Sequence, residues 1–204
     1  MWSSVVRNGP ARPHHLMEAF LVSTGIVALA EMGDKTQLLS LVLAARFRRP
    51  WPIVWGILVA TVANHALAGA LGTWVTAVLG PDVLRWVLGV SFLAMAAWML
   101  IPDKLDEDDN DRQHPRFGVF GTTVVAFFLA EMGDKTQIAT VMLAAQYHAW
   151  FWVVAGTTLG MMIANAPVVW LGEKITKLVP LPIVHRVSAA VFAMLGAAAL
   201  LGWG

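Results

Sequence analysis

No cysteine occurs among the 204 residues. That excludes disulfides, thiolate metal sites and cysteine nucleophiles, and leaves the redox compartment unread. Charge is scarce as well. Asp, Glu, Lys and Arg make up 13% of the chain, about half the ~25% usual in soluble domains. So few charged groups cannot coat a water-facing surface, and the solvent implied is lipid. The formal net charge is only +1, so no basic excess points to nucleic acid. A cleaved leader is not expected either. Residues 1–16 form a polar tail with Arg7, Pro10, Arg12, Pro13, His14 and His15, and the apolar run that follows has no clear small-residue cleavage site. Met17 is an alternative start within this stretch.

What the chain has in abundance is apolar sequence, 58% by count, with a mean hydropathy of +0.66. Six apolar segments stand out, at about 18–45, 51–79, 83–101, 117–145, 149–171 and 183–203, each near or above the ~20 residues that cross a hydrocarbon core. They are continuous and rich in Ala, Leu and Val, without period-2 alternation, so helices rather than barrel strands are expected. The fold class expected is an all-α membrane protein of six transmembrane helices.

The halves of the sequence are copies offset by 100 residues. Ala30–Gln37 reads AEMGDKTQ, and Ala130–Gln137 reads the same. Leu43-Ala44-Ala45 recurs as Leu143-Ala144-Ala145, and Gly56, Gly72 and Phe92 recur as Gly156, Gly172 and Phe192. This is an internal repeat. The chain divides into the tail 1–16, a three-helix repeat 17–101, an acidic linker 102–116 and a second three-helix repeat 117–204. An odd number of spans per repeat makes the second copy enter the membrane from the opposite side, so two inverted repeats are expected. The linker, with Asp103, Asp106, Glu107, Asp108, Asp109 and Asp111, reads as a solvated connection. Arg46, Arg48, Arg49, Lys104, Arg112, Arg116, Lys174, Lys177 and Arg186 fall on one side, and Arg7, Arg12 and Arg85 on the other. The positive-inside rule then puts the linker in the cytoplasm and both termini outside.

The repeated motif sits inside its spans. Residues 19–30 before it and 38–45 after it are largely apolar, and each run is too short at ~1.5 Å per residue to cross alone. Glu31, Asp34, Lys35, Glu131, Asp134 and Lys135 therefore lie deep in the bilayer, where each ionised group costs at least ~2.5–3.5 kcal/mol. Structural glue through Glu31–Lys35 and Glu131–Lys135 pairs at i, i+4 leaves both aspartates unexplained. On a continuous helix Glu31, Asp34 and Lys35 share an arc of about 100°, with Gln37 about 60° beyond Asp34. Inversion brings the matching face of the other repeat against it, so four carboxylates converge. Gly33 and Gly133 allow close approach or local unwinding.

Carboxylates, the Thr36 and Thr136 hydroxyls and the Gln37 and Gln137 carbonyls make a hard oxygen site suited to Mg²⁺, Ca²⁺ or Mn²⁺. Met32 and Met132 read first as packing residues; a thioether ligand from either would favour Mn²⁺ over Ca²⁺. Four carboxylates against two lysines leave two negative charges, which one divalent cation or two protons neutralise. Such a site is suited to exchange of a cation for protons. Asn64, His65 and Asn165 are the other polar residues inside spans, read as helix–helix hydrogen bonders or as supports of the site. Asn165 falls at the repeat position of His65.

With these residues in view, the chain resembles the small membrane family of manganese and calcium cation–proton exchangers, which has bacterial manganese exporters and Golgi and thylakoid relatives. The resemblance rests on the two Glu-x-Gly-Asp-Lys-Thr copies and covers essentially everything after residue 17. It implies a transporter, not an enzyme, in a bacterial inner membrane. It also implies Mn²⁺ export, with Ca²⁺ as the alternative, against protons, and no prosthetic group. The ion is then carried by Glu31, Asp34, Glu131 and Asp134, with Thr36, Thr136, Gln37 and Gln137 nearby. The partners expected are the divalent cation and the lipid bilayer; a homo-oligomer is left open. Two readings from other classes are a non-transporting scaffold and an intramembrane aspartyl protease. The protease lacks its Tyr-Asp partner here, since Tyr147 precedes His148.

Overall fold

The computed structural model describes residues 13–101, 117–172 and 181–202. Residues 1–12 of the polar tail, the acidic linker 102–116, and Lys174 and Lys177 lie outside the described residues. The described chain is all helical: α1 (Pro13–Glu31), α2 (Lys35–Phe47), α3 (Pro50–Val78), α4 (Pro81–Trp98), α5 (Gly118–Glu131), α6 (Lys135–Tyr147), α7 (Trp150–Leu171) and α8 (Leu181–Leu201). The first helix starts inside the tail assigned to 1–16, at Pro13, where a fixed φ and a missing N–H suit a first helical turn.

Local chemistry sets the ends. Pro50 and Pro81 open α3 and α4. Arg48 and His148 close α2 and α6 in the left-handed conformation, with φ of 52° and 50°. Their N–H groups donate to Ala44 O and Ala144 O at 3.0 and 3.1 Å. The same stop thus recurs at the same repeat position.

The two halves interlock rather than sit side by side. The first helix packs on α7, and α5 packs on α3. Small residues allow the approach. A Cβ at Gly156 would stand 2.5 Å from Phe20 O, one at Gly160 2.6 Å from Thr24 O, and one at Gly56 2.6 Å from the Thr123 Cβ. The fourth and eighth helices pair through Phe92 and Phe192, whose rings lie 6.2 Å apart. The apolar core draws on both halves, with Ile26, Phe92, Leu143 and Phe192 in one cluster and Leu43, Ile57 and Phe127 in another.

The outer surface is apolar, with Trp55, Leu67, Trp74 and Met194 all more than half exposed, as a lipid-facing surface requires. Among the described residues, three helices qualify by length and apolarity alone to cross a membrane: Pro50–Val78, Trp150–Leu171 and Pro182–Leu201. The α1–α2 pair, bent by 69°, counts as a fourth if taken as one broken span. The molecule is an all-helical membrane protein.

The repeats are not equally packed. Ala145 on α6 is 1% exposed, whereas Ala45 on α2 is exposed. A Cβ at Gly72 would collide with the Val141 carbonyl oxygen and lie 2.9 Å from the Ala144 Cβ. At the repeat position, a Cβ at Gly172 would meet, among the described residues, only Leu41 Cδ1, at 3.9 Å. The α6 end is therefore closed against α3, while among the described residues the α2 end is looser.

A candidate cation site at two broken helices

Both motifs interrupt a helix. The first ends at Glu31 and the next begins at Lys35; α5 ends at Glu131 and α6 begins at Lys135. Gly33 and Gly133 take φ of 83° and 77°, a left-handed conformation open to glycine at no steric cost. Asp34 and Asp134 follow as N-caps with extended backbone. The continuous-helix arc expected from the sequence does not apply across this break. The second possibility, local unwinding at the glycines, is what occurs, and it turns the motif side chains toward one another.

Each break is held by its own glutamine. Gly33 N donates to Gln37 Oε1 at 3.0 Å, and Gly133 N to Gln137 Oε1 at 2.7 Å. The amide ends then cross to the other half: Gln37 Nε2 donates to Ala164 O and Gln137 Nε2 to Asn64 Oδ1, each at 3.2 Å. Positions 64 and 164 are repeat equivalents, so the two clamps are built alike. The glutamine oxygens, read from sequence as ligands, are engaged in holding the break.

Between the breaks lies a buried carboxylate group. One oxygen each from Glu31, Glu131 and Asp134 lies within 4.8 Å of the others, and the three residues are 0%, 0% and 4% exposed. Two oxygens on opposite sides of a Ca²⁺ stand about 4.6–5.2 Å apart, and about 4.0–4.2 Å for a smaller octahedral ion such as Mg²⁺. Three oxygens no more than 4.8 Å apart can therefore share one hard divalent cation. Thr36 Oγ1 donates to Glu31 Oε2 at 2.5 Å, and Thr136 Oγ1 to Glu131 Oε2 at 2.8 Å. That orients one oxygen of each glutamate. The other, Oε1, is buried with no hydrogen-bond partner among the described residues in both glutamates. Buried polar atoms are rarely left so, and two such acceptors in one cluster form a place for a cation or proton.

Asp34 is not part of this three-carboxylate group. It is 3% exposed and accepts from Thr36 N at 3.5 Å as the cap of α2. The convergence of four carboxylates expected from the sequence is thus a convergence of three, because the two halves meet unequally. The lysines differ in the same way. Lys35 Nζ reaches across to Asp134 Oδ1 at 3.1 Å, not to Glu31 one turn back, since the break carries Glu31 out of that register. Lys135 Nζ donates to Ile101 O at 3.1 Å and lies 5.8 Å from the Trp98 ring centre. Three carboxylates and the Lys35 ammonium, all ionised, leave two negative charges. Asp34 and Lys135 add one of each sign.

Asn165 joins the site. Its Nδ2 donates to Glu31 Oε2 at 3.3 Å, and its Oδ1 accepts from Ser40 Oγ at 3.0 Å. Ser40 was missed in the sequence reading. Its repeat partner Thr140 also carries a hydroxyl, and that match was the available signal. Asn64 donates to Phe128 O at 3.0 Å beside the other break. His65 is fully buried. Met132 is 56% exposed, its side chain turned outward at the break. Met32 is partly buried at the corresponding turn.

A family profile described as "Divalent cation/proton antiporter GDT1" matches residues 19–107 and 119–203, one stretch in each half. A Vibrio cholerae protein named "Putative manganese exporter" is 52% identical over 190 residues, covering 93% of this chain and 94% of its own. A "GDT1-like protein" of Synechocystis is 29% identical over 175 residues, 78% of this chain and 84% of its own. "GDT1-like protein 4" of rice is 27% identical over 213 residues, 92% of this chain and 72% of its own. No solved structure matches.

Proposed function

Because the chain belongs to the GDT1 family of divalent cation/proton antiporters, we propose that it exports Mn²⁺ from a bacterial cytoplasm across the inner membrane in exchange for protons. The observation that carries this reading is the buried group of Glu31, Glu131 and Asp134, whose oxygens lie within 4.8 Å of one another. It draws on both repeats, so one ion engages both halves. The likeness to the Vibrio exporter supports Mn²⁺ as the cargo.

In this reading Glu31, Glu131 and Asp134 hold the cation, and Asp34 joins them when the halves rearrange. Thr36 and Thr136 orient the glutamates, while Gln37 and Gln137 fix the breaks. Lys35 sets the charge so that one divalent ion, or two protons, brings the cluster to neutrality. A site left with net charge at mid-bilayer would be costly, so cation release is accompanied by proton binding. The cation and the protons thus occupy the same oxygens in turn.

The two halves run in opposite directions through six crossings, with α1–α2 and α5–α6 as broken spans. The support is the matching pair of breaks and the recurring cross-half clamps. With the acidic linker cytoplasmic and both termini outside, the tightly packed α6 end faces outward and the looser α2 end faces the cytoplasm. A Ca²⁺/H⁺ exchange reading is supported by one observation, the all-oxygen donor set of the three carboxylates, which suits Ca²⁺ as well as Mn²⁺.

Purified protein in proteoliposomes tests both. Mn²⁺ flux driven by an imposed pH gradient, and larger than Ca²⁺ flux, is the expected result. A pH-driven Ca²⁺ flux without Mn²⁺ flux selects the calcium reading, and no flux of either ion refutes transport.

A further inference from the structure

The two motifs are alike within themselves and unlike in what they meet. Asp34 and Asp134 both cap the next helix, with φ of −78° and −79° and ψ of 167° in each. Thr36 and Thr136 each donate to the glutamate of their own motif. Across the halves the likeness ends. Lys35 Nζ meets Asp134 Oδ1 at 3.1 Å, and Asp134 stands with Glu31 and Glu131 in the carboxylate group. The mirror pair would be Lys135 with Asp34. In this structure Lys135 Nζ donates to Ile101 O instead, and Asp34 caps α2 outside the group of three.

Identical turns with identical backbone give Asp34 the same local reach as Asp134. What admits one and not the other is the set of helices packed around them. A cap alone asks for Ser, Thr or Asn as readily, at less cost inside a span than a carboxylate. The surface that closes the α6 end is present twice as well: Gly72, Ala144 and Ala145 recur as Gly172, Ala44 and Ala45. Packed helices switch between discrete arrangements, and rocking of inverted repeats around a fixed site opens the opposite side. We propose that Asp34 and Asp134 alternate as the third carboxylate of the site. Lys35 pairs with Asp134 in the arrangement seen, and Lys135 pairs with Asp34 in the one open to the other side. Glu31, Glu131, Asp34 and Lys135 carry two negative charges when ionised, as Glu31, Glu131, Asp134 and Lys35 do. One divalent cation or two protons therefore neutralise either arrangement. This inference deepens the transport reading and rests on it: Asp34 joins the glutamates by taking the place of Asp134.

The chain has no cysteine, so single introduced thiols report each end without background. Ala145→Cys marks the α6 end, where Ala145 is 1% exposed, and Ala45→Cys marks the α2 end, where Ala45 is exposed. Wild-type full-length protein in proteoliposomes is measured first for pH-driven Mn²⁺ flux; if there is none, the transport reading itself fails before any aspartate is changed. Asp34→Asn and Asp134→Asn should then each abolish net flux while resting in opposite arrangements. With Mn²⁺ present, the Ala145→Cys thiol should react with a water-soluble maleimide about tenfold faster in Asp134→Asn than in Asp34→Asn, the scale expected when a buried pair no longer favours one state. The Ala45→Cys thiol should show the reverse order. Lys35→Gln breaks the same pair with every carboxylate kept, so it should shift both thiols in the direction of Asp134→Asn, and it takes that variant's place if Asp134→Asn does not fold. Equal labelling in the two aspartate variants, shifts in the same direction, or wild-type flux in either one overturns the proposal.

Discussion

Alanine substitution at two glycines, Gly72 and Gly25, adds the same methyl group in two very different surroundings. A Cβ at Gly72 would overlap the Val141 carbonyl oxygen, lie 2.9 Å from the Ala144 Cβ and 3.2 Å from Ala145 N. Ordinary contact begins near 3.4 Å, and the obstacles are backbone atoms and a Cβ, which cannot rotate away. Helix α3 must therefore move off α6 by half an ångström or more. Overpacking of this kind costs about 1–3 kcal/mol. Gly25, inside α1, has nothing within 4 Å of the added carbon, and Gly-to-Ala in a helix gains up to about 1 kcal/mol. For a chain of this size 1 kcal/mol moves the Tm by about 2–4 °C, so Gly72→Ala should unfold about 2–12 °C lower than wild type. Gly25→Ala should match wild type or exceed it. Thermal unfolding of the detergent-purified variants measures this directly. If Gly72→Ala is as stable as wild type, or Gly25→Ala is the less stable of the two, the closed contact of α3 with α6 is wrong, and so is the unequal packing of the halves built on it.

Three further outcomes follow from the site. Glu31→Gln and Glu131→Gln keep shape but remove one carboxylate each from a shared cluster, so each alone should abolish cation flux; a fully active single variant would show that the two motifs act separately. Gln37→Leu removes both the bond from Gly33 N and the bond to Ala164 O, leaving the part-buried Gly33 N–H unmet at about 1–3 kcal/mol. It should lower thermal stability as well as flux, and loss of flux at wild-type stability would argue instead for a ligand role of the Gln37 oxygen. If one divalent ion exchanges for two protons, flux should follow an imposed pH gradient and be nearly indifferent to a clamped voltage, which otherwise adds about 2.3 kcal/mol per charge per 100 mV; flux that follows voltage at zero pH gradient would exclude that stoichiometry.

Much of this protein was legible as text. Low charge with long apolar runs dictated lipid-facing helices, because backbone groups in hydrocarbon must be satisfied within the segment. The identical AEMGDKTQ copies marked the site, because six ionisable groups at that depth have no cheap structural reason to exist. The breaks read at Arg46–Pro50 and at Gly80-Pro81-Asp82 fall within a few residues of the helix ends at Phe47, Pro50, Val78 and Pro81. A repeat offset, however, describes the two copies as equal. Only the tertiary packing decided that Lys35 reaches Asp134 instead of Glu31, that Asp34 stands outside the group of three carboxylates, and that Met132 turns outward. Helical periodicity carries phase along a continuous helix, and the left-handed glycines at 33 and 133 reset that phase. Past such a break, which side chains meet is set by how α3 and α7 dock against the opposite half, and identical motifs then acquire different neighbours because the helices around them are not identical.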